Sequence, residues 1–442
     1  MQPTITLNRT LIIRIILGLA GVILLILLAQ FIYEYFTTGR VIIQTNQPNA
    51  KLTIVNRKNQ SAEVIGKGKV DKRLPPGDYT ITASADSAES CYTTKLEARQ
   101  TQKTTLDLTN PQNLSEYANY QAKDIVTEGA KVEFLNIPFQ SIYTIPDAQT
   151  EGAPYIEDYT ITQLDWVQYG LGYFRDTTNN SYKLSPGGVV TSFGIRLKEA
   201  PANDPKEAAE EGPGGEADTL SIDDIAVNEN GDRVMRHLDK LYYQGSTDEY
   251  AEEIQIDGQS INSSFTLSKN GLIVLFSQPE ITIGEEGVVD NQPNQKETPR
   301  EPLKMSIYDV KNRKTVQQIT DKDATTEEGS SWSLDGNKLA FITDQTVHIL
   351  DINTGNITTV LAQTGAENNS IRWVSNTKLS YVEKGAIWIY DSQTQIAIKQ
   401  ATFNYSNVGV YDAYFDKINN SLTVSTYTLG EGLVGKIYQL KL

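Results

Sequence analysis

The chain begins with an apolar segment that constrains its location more than any other feature does. Residues 15–32 read IILGLAGVILLILLAQFI, in which Gln30 is the one polar residue. A helix that crosses the hydrocarbon core of a bilayer needs about 20 mostly apolar residues. Residues 11–36 are therefore predicted to form a transmembrane anchor after a cytoplasmic tail of residues 1–10. The side chains predicted to build the anchor are Arg14, Ile15, Leu19, Leu24, Leu28, Phe31 and Tyr33.

Charge predicts the orientation of this anchor. Arg9 and Arg14 precede the apolar segment, aromatic residues follow it, and cytoplasmic flanks collect lysine and arginine. We therefore expect a single-pass protein of the cell membrane with its N-terminus cytoplasmic and the bulk of the chain extracellular or periplasmic. A cleaved signal peptide is the alternative. It is disfavoured because its apolar core would span roughly 7–15 residues, and because Leu27 stands where cleavage after Ala29 needs a small residue.

The composition of the whole chain is acidic. Its 55 Asp and Glu against 39 Lys and Arg give a net charge of −16. An acidic exterior argues against a nucleic-acid partner and against docking flat on anionic lipid. The single cysteine, Cys91, excludes an intramolecular disulfide and is predicted to be a small buried residue.

Residues 39–109 are predicted to form a small all-β domain. Apolar and polar residues alternate in several short segments, which is the pattern of half-buried strands. Two turn signals stand out, residues 46–50 (NQPNA) and residues 75–78 (PPGD). In the second, Pro76 sets φ, Gly77 permits a positive φ, and Tyr79 restarts a strand.

These turns resemble the PEGA domain family. The resemblance is carried by Pro48-Asn49-Ala50 before a strand and by residues 74–81 (LPPGDYTI), which match the family turn L-x-P-G-x-Y-x-V. It implies a β-sandwich that serves as a spacer or binding module rather than a catalyst. Asn49 replaces the Glu-Gly pair of the motif that names the family, so no specific site is expected there. The residues marked by the resemblance are Pro48, Ala50, Pro76, Gly77 and Tyr79.

Residues 110–158 are predicted to be either a connector or the first, irregular blade of the array that follows. Residues 113–125 (NLSEYANYQAKDI) could form a short capped helix. Residues 131–135 and 141–145 are predicted to be strands.

The chain repeats itself from residue 159 to residue 442. Trp332 and Trp373 are 41 residues apart, and so are Trp373 and Tyr414. A period of about 40–45 residues is typical of four-stranded propeller blades. The predicted fold class is therefore mainly β: an N-terminal transmembrane helix, a small PEGA-like β-sandwich, then a six- or seven-bladed β-propeller. An array of β-sandwiches is the alternative, and acidic insertions at 199–218 and 280–301 are predicted to be mobile surface loops.

The best-preserved repeat resembles the TolB-type WD40-like propellers. The pattern W-S-x-D-G-x-x-L-A-F fills residues 332–341, and D-x-x-T-G follows at 351–355. In that family the motif is structural, which implies that Trp332 packs between blades and that Gly336 supplies the positive φ of a hairpin turn. The residues assigned to this structural motif are Trp332, Asp335, Gly336, Trp373, Asp351 and Gly355.

Residues that carry chemistry are scarce. The two histidines are His237, expected at the surface, and His348, expected to be an ordinary strand residue. No nucleophile elbow and no zinc pattern occurs, so we predict no catalytic residue, metal ligand or cofactor, and no ligand-binding residue is assigned. The leading hypothesis is a non-catalytic binding or scaffolding protein of the cell envelope, with envelope proteins or carbohydrate as partners. A carboxylate-dependent enzyme acting on envelope polysaccharide and a purely structural spacer are the alternatives.

Overall fold

The structure is a computed structural model, and its description covers most of the chain. The described residues are 9–58, 61–116, 118–121, 133–136, 141–144, 161–168, 171–176, 181–185, 189–197, 219–220, 222–261, 263–277, 302–321, 329–361, 370–406, 408–417, 420–428 and 434–442. The predicted acidic insertions and most of the predicted tail lie outside these residues.

One helix precedes a long series of strands, which confirms a mainly β chain with an N-terminal apolar helix. The first elements are α1 (Arg9–Thr37), β1 (Gly39–Thr45), β2 (Lys51–Asn56), β3 (Ser61–Lys67), β4 (Lys69–Leu74), β5 (Gly77–Ala85), β6 (Ala88–Leu96) and β7 (Thr101–Leu106). The next are β8 (Gln112–Asn113), β9 (Ala118–Gln121), β10 (Glu133–Asn136), β11 (Ser141–Thr144), β12 (Ile161–Gln168), β13 (Leu171–Asp176), β14 (Ser181–Ser185), β15 (Val189–Phe193), β16 (Ile195–Arg196) and β17 (Thr219–Leu220). Then follow β18 (Asp224–Val227), β19 (Arg233–His237), β20 (Lys240–Gln244), β21 (Glu252–Ile254), β22 (Ser264–Leu267), β23 (Leu272–Ser277), β24 (Leu303–Asp309), β25 (Lys314–Asp321), β26 (Gly329–Trp332), β27 (Lys338–Thr343), β28 (Thr346–Asp351) and β29 (Ile357–Leu361). The last are β30 (Arg372–Trp373), β31 (Lys378–Glu383), β32 (Ala386–Asp391), β33 (Ile396–Thr402), β34 (Val408–Asp416), β35 (Ser421–Thr428) and β36 (Val434–Lys441).

Helix α1 is apolar on all sides. Its segment Gly18–Thr37 is long and apolar enough to cross a membrane, although a signal sequence passes the same test. Four of the predicted anchor side chains are exposed, as lipid-facing side chains would be: Leu19, Leu24, Leu28 and Tyr33. Arg14, Ile15 and Phe31 also lie within α1, but their side chains are outside the described ones.

The first compact unit comprises Met1–Pro111 together with Thr394–Gln400. One sheet has the order β4-β1-β7, with β1 antiparallel to β4 and parallel to β7. The second sheet runs β3-β2-β5-β6, all antiparallel. Alternate residues of β1, β2 and β5 point into one shared core, because the side-chain period of a strand is two.

A distant segment completes this second sheet. Residues 396–398 of β33 pair antiparallel with β6, which places Ala397 opposite Cys91. Both residues are buried, and Lys399 Nζ lies 3.2 Å from Glu89 Oε2. This segment lies within the predicted propeller (residues 159–442), and nothing in its local pattern indicates a partner some 300 residues earlier.

The turn residues of the first unit differ from expectation in one respect. Gly77 is the first residue of β5 and is not among the residues with positive φ in the described part of the chain, so that prediction is wrong. Gly68 has a φ of 62°, and a Cβ there would collide with the carbonyl of Pro48. Tyr79 is buried, and its hydroxyl donates to the Pro75 carbonyl (2.9 Å), which closes the turn that contains Pro76. Ala50 is fully buried.

The second compact unit comprises Gln112–Gln393 and Ala401–Leu442. Its sheets are antiparallel, and most have four strands in sequence order. The four-stranded sheets are β12–β15, β18–β21, β22–β25, β26–β29 and β34–β36 with β9. Strands β30–β32 of this unit also pair antiparallel in sequence order. The helix suggested over 113–125 is wrong, because Ala118–Gln121 is a strand that pairs with β36, and this pairing outweighs local helix propensity.

Hydrophobic cores of the second unit lie between consecutive sheets. In β23, Ile273 and Leu275 pack with the sheet before, whereas Val274 and Phe276 pack with the sheet after. Both faces of such a strand are buried, so its residues form a continuous apolar run rather than an alternating one.

Candidate functional site

The connections between the first and second strands of four consecutive sheets form what we term the turn row. Its members are residues 228–232, 268–271, 333–337 and 374–377. Each turn has Asn or Ser as its first residue, or as its second in residues 374–377, and the side-chain oxygen of that residue accepts nearby backbone N–H groups, as such residues commonly do. These accepted bonds are Asn230 N and Asp232 N to Asn228 Oδ1 (2.9 and 3.0 Å), Asn270 N and Leu272 N to Ser268 Oγ (3.2 and 2.9 Å), Lys338 N to Ser333 Oγ (2.9 Å), and Thr377 N and Lys378 N to Ser375 Oγ (3.2 and 2.9 Å).

Further bonds join one turn of the row to the next. Asparagine amides of one turn donate to backbone carbonyls of the following turn. They run from Asn228 Nδ2 to Ser268 O (3.0 Å), from Asn230 Nδ2 to Lys269 O (2.9 Å) and from Asn270 Nδ2 to Asp335 O (2.9 Å). Lys269 Nζ also donates to the carbonyl of Leu334. Neighbouring sheets are thus fixed to each other at this end by polar contacts as well as by their cores.

Asp335 occupies the centre of the best-preserved turn. Its Oδ1 accepts from Ser333 Oγ (2.6 Å) and from Asn337 N (3.1 Å). Partial burial raises the pKa of Asp335, but the hydrogen bonds from Ser333 and Asn337 and the charge of Lys338 outweigh it, so the pKa lies below its ordinary value. The carboxylate is therefore a turn-forming acceptor.

Gly336 meets the requirement that the motif implies for a glycine. Its φ is 71°, and a Cβ there would lie 2.6 Å from Asn270 Nδ2, one of the donors that link the turns. The position thus excludes a side chain both by backbone conformation and by the approach of the neighbouring turn.

Replacing Gly336 by alanine is expected to destabilise the second unit more than replacing Gly231 does. Both glycines have positive φ, which costs an L-residue about 1–2 kcal/mol, but the nearest atom to a Cβ at Gly231 is Ser246 Cβ at 3.4 Å. The difference between the losses of unfolding free energy in G336A and G231A therefore measures the contribution of the contact between turns. Urea unfolding of the full chain in detergent micelles, followed by circular dichroism, provides the test, and equal losses of stability would contradict it.

The D-x-x-T-G motif at residues 351–355 forms the turn between β28 and β29, the third and fourth strands of their sheet. Asp351 Oδ1 accepts from Thr354 N (3.0 Å) and Thr354 Oγ1 (3.1 Å), and Gly355 has a φ of 69°. Asp309 performs the same role one sheet earlier, accepting from Asn312 N (3.1 Å). Burial raises the pKa of Asp309, but the bonds from Asn312 prevail and leave the pKa below its usual value.

Tryptophans join the first strands of neighbouring sheets. Trp332 Nε1 donates to Thr266 Oγ1 (3.0 Å) in β22, and Trp373 Nε1 donates to Ser331 O (3.0 Å) in β26. Trp373 is only 2% exposed, whereas Trp332 is half-buried. The 41-residue spacing therefore marks the same position in two consecutive sheets.

The opposite end of the first strands carries a mixed polar and apolar surface. Arg236 donates to Asp224 Oδ2 (3.3 Å) and to the Ser263 carbonyl, and its Cζ lies 5.8 Å from the centroid of the Phe265 ring. We call these four residues the Arg236 cluster. The buried Nε of Arg236 has no hydrogen-bond partner among the described residues.

Two large aliphatic side chains are exposed beside this cluster. Leu238 is 58% exposed and Ile261 is 61% exposed. Their loops are joined, because Gln259 Nε2 donates to the carbonyl of Asp239 (2.7 Å). Sequence reasoning missed this surface, since an arginine beside a turn and two isolated aliphatic residues form no motif.

Both histidines lie in strands of the second unit. His348 is buried in β28 and its Nε2 lies 2.9 Å from Thr343 Oγ1, while its ring stacks on Phe341 at 5.2 Å. His237, predicted to be at the surface, is half-buried at the end of β19. Among the described residues, no three His, Cys, Asp or Glu side chains group as metal ligands do.

Comparisons with known proteins leave the family of this chain open. No protein-family model matches the sequence, and no curated protein matches it. One chain of the structure described as "Crystal Structure of Mitotic Checkpoint Complex" is similar at 11% identity with a TM-score of 0.46, covering 76% of this chain and 94% of that one.

Proposed function

We propose that this chain is a membrane-anchored, outward-facing and non-catalytic binding or scaffolding protein of the cell envelope. The observation that carries the proposal is the turn row, in which asparagine amides join three consecutive sheets of the second unit into one body. Helix α1 would tether that body, the first unit would act as a PEGA-like stalk, and the second unit would present a binding face.

A β-propeller is the arrangement of the second unit that best accounts for its contacts. Consecutive sheets share cores, and β9, from near the start of the unit, completes the sheet of β34–β36 at its end. In addition, Lys417 Nζ, just after β34, lies 2.6 Å from Glu229 Oε1 at the start of the turn row. A closed ring of sheets would account for these contacts of the last sheet with earlier segments.

The carboxyl groups whose pKa is lowered are not suited to general-acid catalysis near neutral pH. A general acid near neutral pH needs a raised pKa. Hydrogen bonding to Arg40 lowers the pKa of Asp71, and the turn bonds described above leave the pKa values of Asp309 and Asp335 low.

The Arg236 cluster with Leu238 and Ile261 is the surface we assign to partner binding. It combines exposed aliphatic side chains with the guanidinium of Arg236 beside the Phe265 ring, a combination suited to an envelope protein or a carbohydrate.

Binding is tested with the full chain in nanodiscs on glycan and peptide arrays. The double variant L238D/I261D is expected to lose the binding that the wild type shows. V316D is the matched control, because Val316 is an exposed aliphatic residue of the same unit, away from this surface in sequence. Absence of binding by the wild type, or cleavage of an envelope polysaccharide, would contradict the proposal.

Topology is tested separately by protease treatment of intact cells that produce the protein. An outward-facing chain is expected to be cut, leaving a small membrane-bound fragment that contains α1. Protection in intact cells, or a mature chain that starts after Ala29, would contradict the anchor.

A further inference from the structure

The end of α1 is held by two arginines from the first β unit. Arg73 Cζ lies 5.4 Å from the centroid of the Tyr35 ring, and Arg99 Cζ lies 4.0 Å from that of Phe36. Arg73 belongs to β4 and Arg99 to the turn between β6 and β7, so two separate parts of the unit converge on one end of the helix. Neither arginine pairs with a carboxylate in the described part of the chain.

Backbone contacts keep this arrangement close to the end of the helix. Thr38 is the one residue between α1 and β1, and its carbonyl accepts from Arg99 N (2.9 Å). Arg40 N donates to the Gln100 carbonyl (2.7 Å). Since strand β1 starts directly after the helix, this edge of the unit lies next to Tyr35 and Phe36. Such aromatic residues are typical of the membrane–water interface.

Arg99 adopts a conformation that is costly for its residue type. Its φ is 63°, in the left-handed region that glycine and asparagine usually occupy. In this turn the exposed Arg99 places its guanidinium over the ring of Phe36.

Charge is distributed unevenly along the chain. Residues 38–111 contain 11 Lys and Arg against 7 Asp and Glu, a net +4 in a chain of net −16. We call the connections at residues 57–58, 75–76 and 97–100 the helix-proximal edge, because strand registers place them beside the start of β1. Basic residues at or near this edge are Arg40, Arg57, Lys58, Lys72, Arg73, Lys95 and Arg99.

The acidic residues near this edge are fewer, and two are neutralised. Arg40 Nε donates to Asp71 Oδ1 (2.8 Å), and Lys72 Nζ donates to Glu63 Oε1 (2.6 Å). Asp78 and Glu97 are the remaining carboxylates of this edge, and Glu34 directly precedes Tyr35 in α1. The whole-chain charge, which argues against contact with anionic lipid, therefore does not describe this edge.

We propose that the helix-proximal edge binds the phosphate groups of anionic phospholipids, with Arg73 and Arg99 as the principal contacts. This inference rests on the proposed membrane anchor, which would place the edge at headgroup depth. Guanidinium groups match phosphate geometry and can donate two parallel hydrogen bonds while stacking on an aromatic ring. The contact would hold the first unit against the bilayer.

The test uses the full chain in nanodiscs of phosphatidylcholine alone and of phosphatidylcholine with about 30% phosphatidylglycerol. Hydrogen–deuterium exchange of residues 69–74 and 97–103 is expected to slow by about threefold or more in the anionic discs, because bound headgroups oppose local opening. The variant R73Q/R99Q should lose this difference, and R73K/R99K should keep most of it because its charges remain.

A charge-matched control is available at the other end of the same sheets. Lys51 and Lys69 are exposed and lie near the distal turns, so K51Q/K69Q removes the same charge and should keep the lipid effect. Equal exchange in both kinds of disc would overturn the inference, as would a lipid effect that persists in R73Q/R99Q. A wild-type chain that fails to enter the discs would overturn the anchor itself, whereas insertion without lipid dependence would overturn the headgroup contact alone.

Discussion

Replacing Trp373 by alanine is expected to lower the free energy of unfolding of the second unit by about 3–5 kcal/mol. The indole is 2% exposed and is among the largest fully buried side chains of the described residues. Its removal leaves a cavity between two sheets and leaves the carbonyl of Ser331 without the Nε1 donor (3.0 Å). Lys338 Nζ, 5.9 Å from the ring centroid, also loses its aromatic neighbour.

The neighbouring tryptophan provides the control for this prediction. Trp332 holds the equivalent position one sheet earlier and is half-buried, so W332A should cost clearly less than W373A. W373F keeps most of the apolar contact but removes the N–H donor, and should lie between W373A and the wild type. Urea unfolding of full chains in micelles, followed by circular dichroism, gives the comparison. A W332A loss equal to or above that of W373A would contradict the prediction that the loss depends on how deeply the indole is buried.

Replacing Ala397 by proline is expected to open one edge of the first unit. The residue is 1% exposed and pairs with Cys91 across the β6–β33 contact. Proline has no N–H to give to the sheet, and an unsatisfied buried acceptor costs about 1–3 kcal/mol. Because Cys91 is the one cysteine of the chain and is buried, its reaction with a maleimide reports the opening directly. The labelling rate should rise about tenfold or more, since 1.4 kcal/mol corresponds to a factor of ten.

The matched control at this position is A397G. Glycine keeps the N–H and costs roughly 0.5–1 kcal/mol in a strand, so labelling should rise only a few-fold. Unchanged labelling in A397P would mean that β33 does not cover β6 in solution. A rise of the same size in A397G and A397P would show that faster labelling results from loss of the Ala397 side-chain packing rather than from loss of the backbone N–H in the sheet.

Local sequence signals predicted the parts of this fold that local physics determines. The apolar run produced α1, and the 41-residue spacing marked the last residue of two equivalent first strands, Trp332 and Trp373. The Asp335-Gly336 pair lies in a turn with the positive φ expected of the glycine. Each of these depends on residues close together in the chain, and the pattern is therefore visible in the sequence.

Predictions failed where distant segments decide the structure. Residues 113–125 have the composition of a short helix, yet Ala118–Gln121 is a strand because β36 provides its partner. The pairing of residues 396–398 with β6 has no local signature either. The surface around Arg236 was missed for the same reason, since its contacts come from separate strands and a separate loop.

Strand β33, which pairs with β6, is synthesised long after β6. Translation proceeds from the N-terminus at roughly 5–20 residues per second, so some 300 residues must follow Leu96 before the ribosome releases that partner. Throughout that interval β6 is an unpaired edge strand of the nascent chain, and an exposed edge strand can pair with the wrong partner. A cell that makes this protein would need either a holding chaperone or prompt completion of the polypeptide, and premature termination before residue 394 should yield a product prone to aggregate.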